Sequence, residues 1–189
     1  GTGYSWASTA HASTSTREAA SLRYANPLLN HTGPWSVAFW VIPSFTWASG
    51  ALSHSRGLLR FYNGSASNDV WIMSSIERFG WSHGTAYLYA IPDAIEANRA
   101  YHLVIVWDGT QRRFYLDGEL AASHTPASPP ALDGPELFVG WYDTNYRGDW
   151  WIDDLVVLDR ALSADEVRAI YTSNAPVLVI SDYIPMVQT

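Results

Sequence analysis

The chain reads as a succession of short apolar runs whose side chains alternate between two faces. Across 35–42, Trp35, Val37, Phe39 and Val41 form one set and Ser36, Ala38, Trp40 and Ile42 the other, and Pro43 closes the run. A period of two marks a strand with one face toward a core. Further strands are predicted at 57–62, 70–76, 85–91, 101–107, 112–116, 119–123, 136–140 and 150–158. Asp108-Gly109 and Asp117-Gly118 fall between such runs. Asp-Gly favours tight hairpins because glycine tolerates positive φ, so 101–107, 112–116 and 119–123 are expected to form a meander. One helix is predicted over 163–171. Ser163 and Glu166 have capping-box spacing, and Val167, Ile170 and Tyr171 supply an apolar stripe. After Pro176, the apolar residues Val177, Leu178, Val179 and Ile180 predict a late strand. The class is all-β, a sandwich or jelly roll with one short helix near the end.

Thirteen of the first sixteen residues are Gly, Ala, Ser or Thr, which suits a flexible arm or a first edge strand. The expected organisation is an arm at 1–16, a single domain at 17–175 and an extension at 176–189. A chain of 189 residues can bury about 70% of its unfolded surface and so support a real core. Eleven arginines and no lysine face eighteen carboxylates, for a formal charge of −7. That balance argues against nucleic acid as a partner, since phosphate binding needs clustered cations. With no cysteine there is no disulfide framework and no thiolate chemistry. No apolar run approaches the 18 or so residues of a membrane span, so membrane insertion is not expected.

A specific series of motifs runs through the second half. Tyr101-His102-Leu103-Val104-Ile105-Val106-Trp107-Asp108-Gly109 is followed by Arg113-Phe114-Tyr115-Leu116-Asp117-Gly118-Glu119-Leu120 and Leu137-Phe138-Val139-Gly140. Then come Trp151-Ile152-Asp153-Asp154 and Arg160-Ala161-Leu162-Ser163 before the helix. The series resembles the laminin G-like domains of the concanavalin A-like lectin and glucanase superfamily, from about Arg17 to Tyr171. The resemblance implies a jelly-roll β-sandwich of two curved antiparallel sheets. The stretch from Thr16 to Tyr24 is similar to the version of this domain found in phage and bacterial surface proteins. Where the family often carries aromatic-Asp-Gly and Asn-Asp segments that supply calcium ligands, this chain has Tyr24-Ala25-Asn26-Pro27.

Two stretches combine aromatic and polar residues as glycan recognition requires, with ring faces for sugar C–H surfaces and polar groups for hydroxyls. The first holds Trp141, Tyr142, Asp143, Asn145, Tyr146 and Arg147. Its competing reading makes Trp141 and Trp150 core residues at strand ends, with the polar residues forming only the turn. The second, at 78–84, is read as an aromatic loop offering Trp81 and His83. Asp153 and Asp154 lie on opposite faces of one predicted strand, so at most one points into the sandwich. Asp153 is a candidate calcium ligand, and calcium is the one cofactor considered. The competing reading makes it an acceptor of backbone amides or a partner of Arg160 or Arg147. His102 is expected to be a hydrogen-bonded structural histidine.

Glycosidases of the superfamily commonly use a Glu-x-Asp-x-x-Glu pattern, and the six scattered glutamates contain none. No catalytic residue is assigned. The expected function is a non-enzymatic recognition module binding glycan or a protein surface through its end loops, extracellular or on a virion surface. The alternative is a virion structural component, in a tail, fibre or capsid decoration, whose jelly roll and arms contact other copies. A glycoside hydrolase is a third reading with no motif behind it.

Overall fold

The computed structural model describes residues 4–6, 10–12, 22–29, 31–43, 56–62, 67–73, 78–83, 86–90, 95–127, 129–130, 134–140 and 150–173. The strands are β1 (Tyr4–Trp6), β2 (Ala10–Ala12), β3 (Leu22–Ala25), β4 (Trp35–Pro43), β5 (Arg56–Tyr62), β6 (Ser67–Met73) and β7 (Arg78–His83). They continue as β8 (Ala86–Ala90), β9 (Tyr101–Trp107), β10 (Arg112–Leu116), β11 (Glu119–His124), β12 (Glu136–Val139) and β13 (Trp150–Leu158), before helix α1 (Ala164–Ser173). The predicted late strand at 177–180 lies outside the described residues.

All pairings are antiparallel. One sheet has the order β1-β13-β4-β9-β10-β11, with β2 also on β13, and the other β3-β12-β5-β6-β7-β8. The alternation explains the core between them. Val37, Phe39, Leu103, Ile105 and Phe114 of the first sheet meet Leu59, Phe61, Phe79, Trp81 and Leu137 of the second, all essentially inaccessible to solvent. The first sheet is covered on its outer side as well. Ala38, Val104, Val106 and Tyr115 form a second apolar cluster with Leu162 and Val167 at the start of α1, so every residue of β4 and β9 is buried. Ser36, among these, is buried without penalty: its hydroxyl donates to the Arg160 carbonyl and accepts from the Leu162 amide, both at 2.9 Å.

The predicted meander forms as β9-β10-β11. In its second turn Asp117 and Gly118 have φ of 50° and 82°, the positive pair of a type I′ turn. The helix carries its predicted capping box, with Ser163 N donating to Glu166 Oε2 at 2.8 Å and Glu166 N to Ser163 Oγ at 3.2 Å. Gly118 also lies against this helix, where a Cβ would come within 3.0 Å of Tyr171 Cδ1. Gly118→Ala is therefore expected to cost about 1–3 kcal/mol, read as a lower urea midpoint, since positive φ and a contact with the helix act together.

Two expectations need correction. Residues 78–83 are strand β7, not a loop, paired on both sides with β6 and β8. Phe79 and Trp81 do alternate, but Gly80 between them and Gly84 behind carry turn chemistry, and pairing between two neighbours holds the run extended. The strict alternation assumed for β13 also fails. Its register against β4 shifts between Asp153 and Val156, and Asp154 sits at φ 49°. The bulge carries the core-facing set from Ile152 to Leu155, so Asp153 and Asp154 are both half-buried and neither belongs to the core.

Candidate functional site

The registers sort the connections between the two ends of the sandwich. Trp35 pairs with Trp107, Arg112 with Trp107 and His124, and Leu158 with Ser36, which gathers these residues at one end, here the near end. Segments 26–34 and 125–135 cross between the sheets there. Asn26 Nδ2 donates to Gly134 O at 2.7 Å and Trp35 Nε1 to Pro130 O at 3.2 Å. Pro43, Tyr101, Leu116 and Trp150 mark the far end.

The strand ends that flank the first candidate stretch lie at the other end from Trp81 and His83. Residues 141–149, with Trp141, Tyr142, Asp143, Asn145, Tyr146 and Arg147, lie outside the described residues. They connect β12, which ends at Val139, to β13, which begins at Trp150, and both strand ends are at the far end. Trp150, as its core reading requires, is 1% exposed. Trp81 and His83 lie on β7 toward the near end. Trp81 is fully buried, edge-on to Trp35 with ring centroids 5.5 Å apart, so it is a core side chain with no face for a sugar. His83 ends β7 opposite Asn68 and Ala86.

The described far end is a stitched frame. Asp117 N donates to His102 O, and Asp117 Oδ1 accepts from His102 N, both at 2.8 Å. The Arg99 guanidinium pairs with Asp117 at 3.3 Å and lies 4.7 Å from the centroid of the Tyr101 ring. The Tyr101 hydroxyl accepts from Glu96 N at 2.8 Å, and Asn98 N donates to Pro43 O at 2.7 Å. This ties the 95–100 connection to two strands and leaves Arg99 exposed beside an aromatic ring. Arg99 escaped the sequence reading because no motif marks it.

His102 departs from expectation. It is buried between Trp40, at 4.9 Å, and Tyr171 of α1, at 6.1 Å between ring centroids. Its Nδ1 has no hydrogen-bond partner, nor does Trp40 Nε1. Burial without a compensating acceptor disfavours the cationic ring and lowers its pKa to about 4. The imidazole acts here as an aromatic filler under the helix.

The described residues do not assemble a calcium site. Asp153 Oδ1 accepts the Asp154 amide at 2.9 Å, and burial, with the neighbouring Asp153 charge, raises the Asp154 pKa. Among the described residues no three His, Asp or Glu side chains gather to hold a metal. In the segment where the family often has ligands, Asn26 is committed to a turn, its Oδ1 accepting Leu28 N at 2.9 Å. Calcium wants six to eight oxygens, and Asp153 and Asp154 by themselves do not supply them. Arg160, the other suggested partner of Asp153, pairs with Glu166 at 2.7 Å.

Arg112 is a residue that the sequence reading missed. Alternation through Phe114 and Leu116 puts it on the inward face of β10, a signal present in the sequence. It is fully buried, its guanidinium 4.9 Å from the Trp81 ring centroid.

Comparison with known proteins agrees with this architecture. The family model described as the concanavalin A-like lectin/glucanases superfamily, of laminin G type, matches residues 14–168. No curated protein matches the chain. Among solved structures, the receptor binding domain of botulinum neurotoxin D is similar with a TM-score of 0.68 and 15% identity, over 91% of this chain and 48% of that one. The botulinum neurotoxin serotype G binding domain gives 0.63 and 14%, over 87% and 42%. Trypanosoma rangeli sialidase gives 0.57 and 19%, over 76% and 23%. This chain thus spans less than half the length of these structures, and at such identities the likeness is one of fold.

Proposed function

This chain belongs to the laminin G family of the concanavalin A-like lectin/glucanases superfamily, and from that premise we propose that it is a non-enzymatic recognition module. It binds glycan through the far end of the sandwich, outside the cell or on a virion or bacterial surface. The observation that carries this reading is the fold shared with receptor-binding domains, as the neurotoxin structures are titled. Fold by itself assigns no ligand, so the site must supply the chemistry. Support comes from the composition of 141–147 and from the framed Arg99 and Tyr101 at the same end. Trp141 and Tyr146 would stack on sugar faces, while Asp143, Asn145, Arg147 and Arg99 would hydrogen-bond hydroxyls. The sandwich gives these residues a rigid base, which limits the ordering cost of binding.

The test is a glycan array with the purified chain, run with calcium and with chelator. Selective binding is expected, unchanged by chelator and reduced about tenfold or more by Trp141→Ala, the loss of one stacked aromatic. A blank array would sink the glycan reading, and binding indifferent to Trp141→Ala would move the site elsewhere.

A further inference from the structure

Arg112 carries a charge that no carboxylate among the described residues pairs with. Its side chain is 0% exposed, and Nε and Nη1 lack any hydrogen-bond partner. Nη2 reaches His124 Nδ1 only at 3.5 Å, the limit of a hydrogen bond. Among the described residues no carboxylate pairs with it, whereas Arg113 beside it is paired with Asp108. A guanidinium stays charged in proteins, and burying an unpaired ion is strongly unfavourable. The Trp81 face returns part of that through cation–π attraction, but it satisfies no N–H.

We propose that Arg112 anchors a binding site for a small carboxylate at the near end of the sandwich, covered by His124. Trp81 occupies one face of the guanidinium, leaving the in-plane N–H edges for a ligand. An oxyanion on either edge would take one free nitrogen together with Nη2, and charge-assisted bonds of this kind are the strong ones. A singly charged carboxylate matches the single buried cation, while a phosphate dianion would bring unmatched charge into a dry place. His124 is the last residue of β11, whose one strand neighbour among the described residues is β10, and His124 is itself exposed. Rotation of that side chain opens a route from solvent to the guanidinium. This site lies at the opposite end from the strand ends that flank 141–149 and does not depend on the glycan reading.

The experiment follows the Arg112 Nε–Hε resonance and the thermal midpoint while acetate, glucuronate, inorganic phosphate or neutral methyl glucoside is added to the full chain. Acetate or glucuronate is expected to shift the resonance and raise the midpoint, with phosphate and methyl glucoside inert. A response to glucuronate alone identifies a sugar acid as the source of the carboxylate, and a response to acetate alone a free small acid. Arg112→Met should fold with an equal or higher urea midpoint, because an apolar chain of similar length replaces an unpaired ion, and should lose the midpoint response. Arg112→Lys keeps the charge without the planar fork and should bind about tenfold or more weakly. The proposal is overturned if neither acid moves the resonance, if methyl glucoside matches glucuronate, or if Arg112→Met retains the midpoint response.

Discussion

Trp81→Ala is expected to lower stability by about 3–5 kcal/mol, the range for truncating a fully buried aromatic. The indole fills space between the sheets, touches Trp35 edge-on and covers the Arg112 guanidinium. Removing it opens a cavity and uncovers an ion already short of partners, and the two losses add in one place. The measurement is urea denaturation followed by tryptophan fluorescence and far-ultraviolet circular dichroism. A large fall in midpoint with an unchanged m-value is the expected pattern. A variant with a wild-type midpoint but impaired ligand binding would show instead that Trp81 is a contact residue. The comparison with Trp141→Ala, which should affect binding and leave the midpoint near wild type, separates scaffold from site.

Acidification should weaken the fold through His102. In the folded chain the imidazole stays neutral down to about pH 4, whereas in the unfolded chain it takes up a proton near 6.5. Between those values the unfolded state binds more protons, so stability is fully present above about pH 6.5 and declines as pH falls toward 4. The full contribution is about 3 kcal/mol. Trp40 and Tyr171 stack on the ring, and Asp117 engages the backbone amide of His102 rather than its imidazole. Nothing described therefore compensates the cation.

Other titrating groups act differently. Backbone hydrogen bonds and the Arg113 charge outweigh burial at Asp108, and hydrogen bonding to Ser163 and Arg160 acts at Glu166, so both have lowered pKa values. Their stabilisation is lost mainly below the ordinary carboxylate range. Asp154, raised, works in the opposite sense. His102→Phe preserves the aromatic filler and removes the titration, so the slope of stability between pH 6.5 and 4 should flatten in that variant. An equal slope in both proteins would assign the acid sensitivity to the carboxylates.

Much of the scaffold was legible because its signals are local. The period of two in β4, β9 and β10 and the Asp-Gly pair at 117–118 act over a few residues, as does the capping box of Ser163 and Glu166, and each formed where the sequence placed it. β7 reads as a loop in the sequence although Phe79 and Trp81 alternate, because Gly80 and Gly84 carry turn signals, and its pairing with β6 and β8 is made across the sheet. The bulge at Asp154 was equally hidden. It sits between the stretch of β13 paired with β2 and the stretch paired with β1, and depends on partners more than a hundred residues away.

The candidate site divides in the same way. The aromatic and polar composition of 141–147 is a sequence fact, and strand order places its anchors at the far end. The sequence by itself determined β4, the β9-β10-β11 meander and the capped helix, because hydrophobic alternation, turn chemistry and capping are settled among neighbours in the chain. Only the tertiary structure decided that Trp81 is core, that His102 lies neutral beneath α1 and that Arg112 is buried without a carboxylate. Burial and pairing are properties of surfaces brought together from distant parts of the chain, and no local pattern encodes which surface covers which.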